Sequence, residues 1–247
     1  MSGLDAYLGE LTHRTSAVLG ESLVALYLHG SAAMDAFVPS RSDVDLLCIT
    51  RRSLSPSQKR GLAEALSEAS LPCPGVGLEM AVVTVAEAGT PSDPPTFELH
   101  IATQEGRVVD GAGRARNPDL VAELAMTRAR GVVLVGPTPA DVIAPVDRAA
   151  LLHAMADDLR WAVEAERASY AILNGCRCLR FVREGTLSSK TEGGEWAIQA
   201  GFGDTDLIAA ALDRQRGADR LLDPASAAAF AEEVREELLR AAAKASG

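Results

Sequence analysis

Two aspartates one residue apart inside an apolar run, Asp43-Val44-Asp45-Leu46-Leu47, constrain this chain more than any other feature. Successive side chains on a strand point to opposite faces, so Asp43 and Asp45 share one face while Val44 and Leu46 turn to a core. Two carboxylates held that close repel unless a cation or a proton sits between them. Hard oxygen ligands grouped this way suit Mg²⁺, which keeps waters and binds substrate phosphates. Upstream, an apolar strand over Leu23–Leu28 runs into a Gly30-Ser31 turn and a short helix starting near Ala32. Gly30 lets the backbone approach a ligand, and Ser31 offers a hydroxyl and an amide beside a helix N-terminus, a place that favours phosphate. A phosphate binder thus faces a metal binder across a strand–helix–strand unit, the pattern of a nucleotide site.

The rest of the first half reads as further strands and helices. Ser55 caps a helix over Pro56–Ala69, with Pro56 at its first position. The breakers Pro72 to Gly75 lead into a third strand, Gly77–Val85, in which Glu79 is the one charge. A buried carboxylate without a partner is costly, so Glu79 needs a cation or a task. Thr96–Thr103 reads as a fourth strand carrying His100, followed by a polar, Gly-rich loop from Gln104 to Asn117. His100 is a candidate substrate contact, although a lone strand histidine is more often a packing residue. A helix over Pro118–Arg130 and a short strand over Gly131–Pro137 complete this half.

From about Asp147 the strand signals stop. Helical spacing of apolar residues, as in Leu151, Ala154, Met155, Leu159 and Ala162, runs through 147–168, 169–184, 192–199, 205–215 and 224–243. The chain therefore divides into an α/β (α+β) N-terminal domain with a mixed sheet flanked by helices, residues 1–145, and an all-α bundle, residues 146–247. With aromatic residues at 4%, both cores must be built from Ala, Leu and Val. The net charge of −10 disfavours polynucleotides, which are bound through basic patches, and suits either a cationic small molecule or solubility alone. Cys48, Cys73, Cys176 and Cys178 show no metal or redox spacing. No basic-then-apolar leader and no apolar run of membrane-spanning length is found. A soluble, reduced, cytoplasmic, monomeric protein is expected.

Gly30-Ser31, eleven residues, then Asp43-Val44-Asp45 in an apolar run resembles the signature of the DNA-polymerase-β-like nucleotidyltransferases. In the second half, Asn174-Gly-Cys-Arg177-Cys-Leu-Arg180, the stop at Gly185 and Lys190-Thr-Glu-Gly-Gly-Glu-Trp-Ala resemble the helical domain of the aminoglycoside (3'')(9) adenylyltransferases. That resemblance implies Mg²⁺-dependent transfer of AMP from ATP to a hydroxyl of an aminocyclitol, with pyrophosphate released. It implies Asp43, Asp45 and Glu79 as metal ligands, with one or two ions, and Glu79 as the general base. It also implies Gly30, Ser31 and Ser42 on the nucleotide, with Arg177 and Lys190 reaching the triphosphate; Arg180 is the rival to Arg177. Glu166, Thr103 and His100 are the candidate acceptor contacts. Two departures favour spectinomycin over streptomycin. The segment after the fourth strand, Ala102-Thr103-Gln104-Glu105, lacks the drug-packing tryptophan of the streptomycin-type members, and Glu166 matches their acidic position only with a one-residue shift. The alternatives are the same fold acting on another small-molecule or protein acceptor, and a non-catalytic nucleotide-binding regulator.

Overall fold

A computed structural model describes residues 3–245 and divides the chain into two compact units, Met1–Val146 and Asp147–Gly247. Among the described residues of the first unit, helix α1 (Gly3–Leu19) precedes strand β1 (Leu23–His29), and a single 3-10 turn at Ala32–Met34 follows. Then come β2 (Val44–Thr50), α2 (Pro56–Ala65), β3 (Leu78–Thr84), α3 (Val85–Gly89), β4 (Leu99–Ala102) and β5 (Arg107–Asp110). Helix α4 (Asp119–Arg130), strand β6 (Val132–Val135) and helix α5 (Pro139–Val142) close the unit. The strands form one sheet in the order β5-β4-β3-β2-β1-β6, parallel between β2 and β3 and antiparallel elsewhere. This is the mixed sheet flanked by helices that the strand pattern implies.

Alternation along the strands sorts the side chains into two cores. Leu26, Leu28, Val44, Leu46, Cys48, Met80, Val82, Leu99 and Ile101 face one way and pack against Tyr7 and Leu11 of α1 and Leu62 of α2. Ala25, Tyr27, Leu47, Ile49, Ala81 and Val83 face the other way, under Leu120 and Leu124 of α4 and Ala88 of α3. Val44 and Leu46 are thus core residues as expected, but the opposite face is covered too from Leu47 onward. Each fully buried leucine is worth about 2 kcal/mol over exposure, so a one-residue slip of β2 would forfeit several such terms at once. That fixes the register, and with it the face on which the acidic residues lie.

Several boundaries differ from those read in the sequence. Helix α2 ends at Ala65, four residues short of Ala69, and the segment expected as a loop after β4 contains β5. Strand β3 ends at Thr84 because the Thr84 hydroxyl caps α3, accepting from the Glu87 amide at 3.2 Å. The cause at β5 is tertiary, since that strand forms by pairing with β4.

The second unit is helical: α6 (Arg148–Glu164), α7 (Ala168–Glu184), α8 (Lys190–Ala200), α9 (Thr205–Gln215) and α10 (Pro224–Ala245). Helix α6 stops at Glu164 rather than 168, because Glu166 takes a positive φ of 54° and turns the chain. Gly185, at φ +70°, ends α7, the left-handed position that glycine adopts without cost. Ser189 and Glu192 form a capping box that starts α8 at Lys190. No helix among the described residues is long and apolar enough to cross a membrane.

Candidate active site

The acidic residues occupy one end of the sheet, where β2 and β3 begin and β1 and β4 finish. Asp45 pairs in register with Glu79 on the parallel neighbour and with His29 on the antiparallel one. Glu79 in turn lies opposite Ala102, and His100, two residues earlier on β4, shares its face. These side chains continue the face that holds Leu47, Ala81 and Tyr27. Asp43 stands one residue before β2, with the same parity as Asp45; both are partly exposed while Val44 and Leu46 are fully buried.

The loop that delivers Asp43 is braced by Ser42. Its amide donates to the Val38 carbonyl at 2.8 Å, and its hydroxyl accepts from the Val38 amide at 3.1 Å. Its carbonyl takes the Val76 amide at 2.9 Å. Ser42 is buried, and these bonds make it a brace of the aspartate loop. Gly30 has φ +63°, and a Cβ there would overlap the Asp45 carboxylate. Its lack of a side chain therefore sets backbone directly against an acid oxygen, the Asp45 carboxylate filling the space a side chain would take. Ser31 opens a 3-10 turn of only three residues, its carbonyl accepting from Met34 and Ala36. The helix expected there is too short to supply a macrodipole, so any phosphate contact must come from the local amides and hydroxyl.

Glu79 does not point into solvent alone. Its Oε1 lies 3.3 Å from His100 Nε2, and that hydrogen bond holds its carboxyl below the usual carboxylate range despite partial burial; the Arg107 charge acts in the same direction. His100 is buried and packs edge-on against Phe97, ring centres 6.4 Å apart. The structure therefore places His100 beneath Glu79 as its partner. Thr103 closes the end of β4: its hydroxyl accepts the Leu78 amide at 2.8 Å and its amide donates to the Leu78 carbonyl at 2.9 Å.

Among the described residues, no group of three or more His, Cys, Asp or Glu side chains could hold a metal ion. The three-carboxylate grip that the resemblance implies does not form such a group, and Glu79 holds His100 through Oε1. The donors fit Mg²⁺ in a narrower form. Asp43 and Asp45 offer hard oxygens on one face, with Asp45 against the Gly30 backbone, and Mg²⁺ needs only one or two carboxylates when phosphates and water complete its shell.

Two residues not singled out in the sequence belong to this region. Burial pushes the Glu123 carboxyl on α4 well above the ordinary range, and the charges of Glu79, Asp119 and Asp45 add to that. His29 is more than nine-tenths buried with Nε2 unpartnered, and burial pushes it down to about 4, so its imidazole is neutral at physiological pH. Both carry a signal in the sequence: Glu123 is the one charge between Leu120 and Leu124, and His29 immediately precedes Gly30-Ser31.

In the second unit the candidate cations gather. Gly193 on α8 lies so close to α7 that a Cβ would meet the Arg177 backbone and Cβ at 2.7–2.8 Å. Lys190, one turn earlier on α8, places Nζ 4.2 Å from the centre of the Tyr170 ring. Arg177 donates through Nε to Asn174 Oδ1, whereas Arg180 pairs with Glu184 of its own helix at 3.2 Å. Arg177, not Arg180, is thus joined to the side-chain cluster around Lys190. Glu166 is exposed in the α6–α7 turn, beside an Arg167 guanidinium that stands 5.0 Å over the Trp161 ring.

The fold matches the crystal structure of spectinomycin adenyltransferase AAD(9) from Enterococcus faecialis with ATP and spectinomycin, at a TM-score of 0.76 and 15% identity over 96% of this chain and 99% of that one. No curated protein sequence matches. Residues 141–241 match the model of the aminoglycoside adenylyltransferase C-terminal domain. The helical unit is therefore similar to the C-terminal domain of the aminoglycoside adenylyltransferases, and the whole chain shares the fold of one solved adenyltransferase. The matched segment spans α6 to α9 and most of α10, and so includes Arg177, Lys190 and Glu166.

Proposed function

We propose that this protein is an adenylyltransferase that moves AMP from ATP to a hydroxyl of a cationic aminocyclitol, spectinomycin rather than streptomycin. The observation that carries this reading is the pairing of Asp45 with Glu79 on adjacent parallel strands, with Gly30 backed onto the Asp45 carboxylate. Bound Mg²⁺ would neutralise charge on the triphosphate, and Asp43 and Asp45 are the residues to hold it. Gly30 and Ser31 give the phosphates a backbone and hydroxyl surface, and Arg177 and Lys190 are the cations assigned to the triphosphate. Glu79 takes the proton from the acceptor hydroxyl as its oxygen attacks the α-phosphorus. Its partner His100 keeps the carboxyl ionised and aimed, so it is ready as a base at neutral pH. Glu166, exposed and acidic, is the second-unit residue proposed for the acceptor amines, while Thr103 shapes the strand end next to Glu79. AAD(9), solved with spectinomycin, supports the choice of acceptor.

The test is incubation of the full chain with ATP labelled at the α-phosphate, Mg²⁺, and spectinomycin or streptomycin separately. Labelled spectinomycin is expected. Label on the protein, or no transfer to either drug, would overturn the acceptor assignment.

A further inference from the structure

Asp158 lies on α6, and two chains of contacts leave its carboxylate. The Tyr170 hydroxyl donates to it, 3.1 Å from both Oδ1 and Oδ2, and Asn174 Nδ2 donates to Oδ2. Asn174 is 1% exposed and uses its other end, Oδ1, to accept from Arg177 Nε. Tyr170 uses its ring face to carry Lys190 Nζ at 4.2 Å, and its edge contact with Trp161, centres 5.8 Å apart, fixes the ring plane. Tyr170, Asn174 and Arg177 stand at i, i+4 and i+7, one face of α7. One carboxylate is therefore joined to two cations, through an amide on one side and a phenol on the other.

We propose that Asp158 is a positioning residue that sets Arg177 and Lys190 for a polyphosphate, acting through Asn174 and Tyr170. This rests on the reading above that those two cations bind the triphosphate of ATP. The obvious competitor is that Asp158 merely neutralises Arg177 and opposes anion binding. Distance decides between them. Arg177 Nη2 is 4.0 Å from Asp158 Oδ2, long for a paired charge, while the carboxylate is occupied by the neutral donors Tyr170 and Asn174. The guanidinium spends Nε on Asn174, and its terminal nitrogens form the fork that suits a phosphate edge. Lys190 is held against a ring face, which locates the ammonium. A carboxylate used this way orders two long side chains whose rotamer freedom otherwise costs affinity on binding.

The experiment is steady-state kinetics of the full chain with ATP varied at saturating acceptor, paired with calorimetric ATP binding. Asp158→Ala is expected to raise the KM for ATP about tenfold, the equivalent of one lost charge-assisted hydrogen bond, with the acceptor KM unchanged. Asp158→Asn keeps an oxygen for both donors and is expected to recover most of the loss. In an Arg177→Ala/Lys190→Ala background, Asp158→Ala is expected to add nothing further. Should Asp158→Ala fail to fold in a thermal melt, Tyr170→Phe takes its place: it keeps the ring, cuts the link to Asp158, and is expected to raise the ATP KM severalfold. An unchanged or lowered ATP KM in the folded variant, or a full additive effect in the double background, overturns the proposal. Unchanged ATP binding in Arg177→Ala/Lys190→Ala itself would instead overturn the phosphate reading, and the proposal with it.

Discussion

Glu79 shows how far one residue can be read without a structure. Its isolation as the single charge in an apolar strand is visible in the sequence, and desolvation alone is enough to say that it has a partner or a task. Its partner is not visible. His100 reaches it only because β4 runs antiparallel to β3 in a register that sets Ala102 opposite Glu79, and nothing in either segment states that register. The same holds for Ser42 and Thr103, whose polar groups look available in the sequence and are used by Val38, Val76 and Leu78 in the fold. Gly30 was legible as a place that needs glycine, but what demands it here is φ +63° and the crowding by Asp45, which the sequence does not state. If Glu79 is the base, Glu79→Gln removes proton acceptance while leaving the shape and the His100 contact largely in place. Turnover is expected to fall at least about a hundredfold, the usual weight of a general base, with ATP affinity within about twofold of the parent. Measuring kcat together with calorimetric ATP binding separates this from a metal ligand, whose loss would weaken binding as well.

At the scale of elements, helices with strong local punctuation were the easiest to find. Helix α9 and the start of α2 coincide with their Asp204 and Ser55 caps, and α7 ends at Gly185. Strand β5 was hidden because Arg107-Val-Val-Asp110 is short, mostly exposed, and bounded by turn residues that read as a loop. One interaction at that edge does have a measurable consequence. Lys59 on α2, only 8% exposed, reaches Asp110 of β5 at 2.5 Å and lies 3.7 Å from Glu98, which is 2% exposed. Removing the cation leaves the buried Glu98 with the Leu54 amide alone, so Lys59→Ala is expected to cost about 3 kcal/mol by denaturant unfolding. A pH effect is expected nearby. Burial would raise Glu87, but the Thr96 hydroxyl and the Ser92 amide and hydroxyl hold it below its ordinary value. Its folded value lies below its unfolded one, so it contributes stability above about pH 4.3 and loses that contribution as pH falls through the folded value. Glu87→Gln is expected to flatten the acid limb of the stability–pH curve and leave the slope above pH 6 unchanged.

For the molecule as a whole, composition fixed what the cores are made of, since buried Leu, Ala and Val dominate both sheet faces and the helical unit. The net charge of −10 said only that polyanions are poor partners, and left cationic ligands and simple solubility as rival explanations. The fold sharpens that choice by placing Asp43, Asp45 and Glu79 at one end of the sheet, with Glu123 on the helix above it. Long-range attraction of a polycationic acceptor is a rate effect that salt removes. The Debye length shrinks from about 30 Å at 0.01 M to about 3 Å at 1 M. Over that range kcat/KM for the aminocyclitol is expected to fall by about tenfold or more, because steering acts on encounter. The same field repels the triphosphate, so kcat/KM for ATP is expected to hold level or rise as salt is added. Opposite trends for the two substrates distinguish steering from general salt inhibition, which depresses both. A parallel fall would mean that the acidity of this chain serves solubility and takes no part in gathering its acceptor.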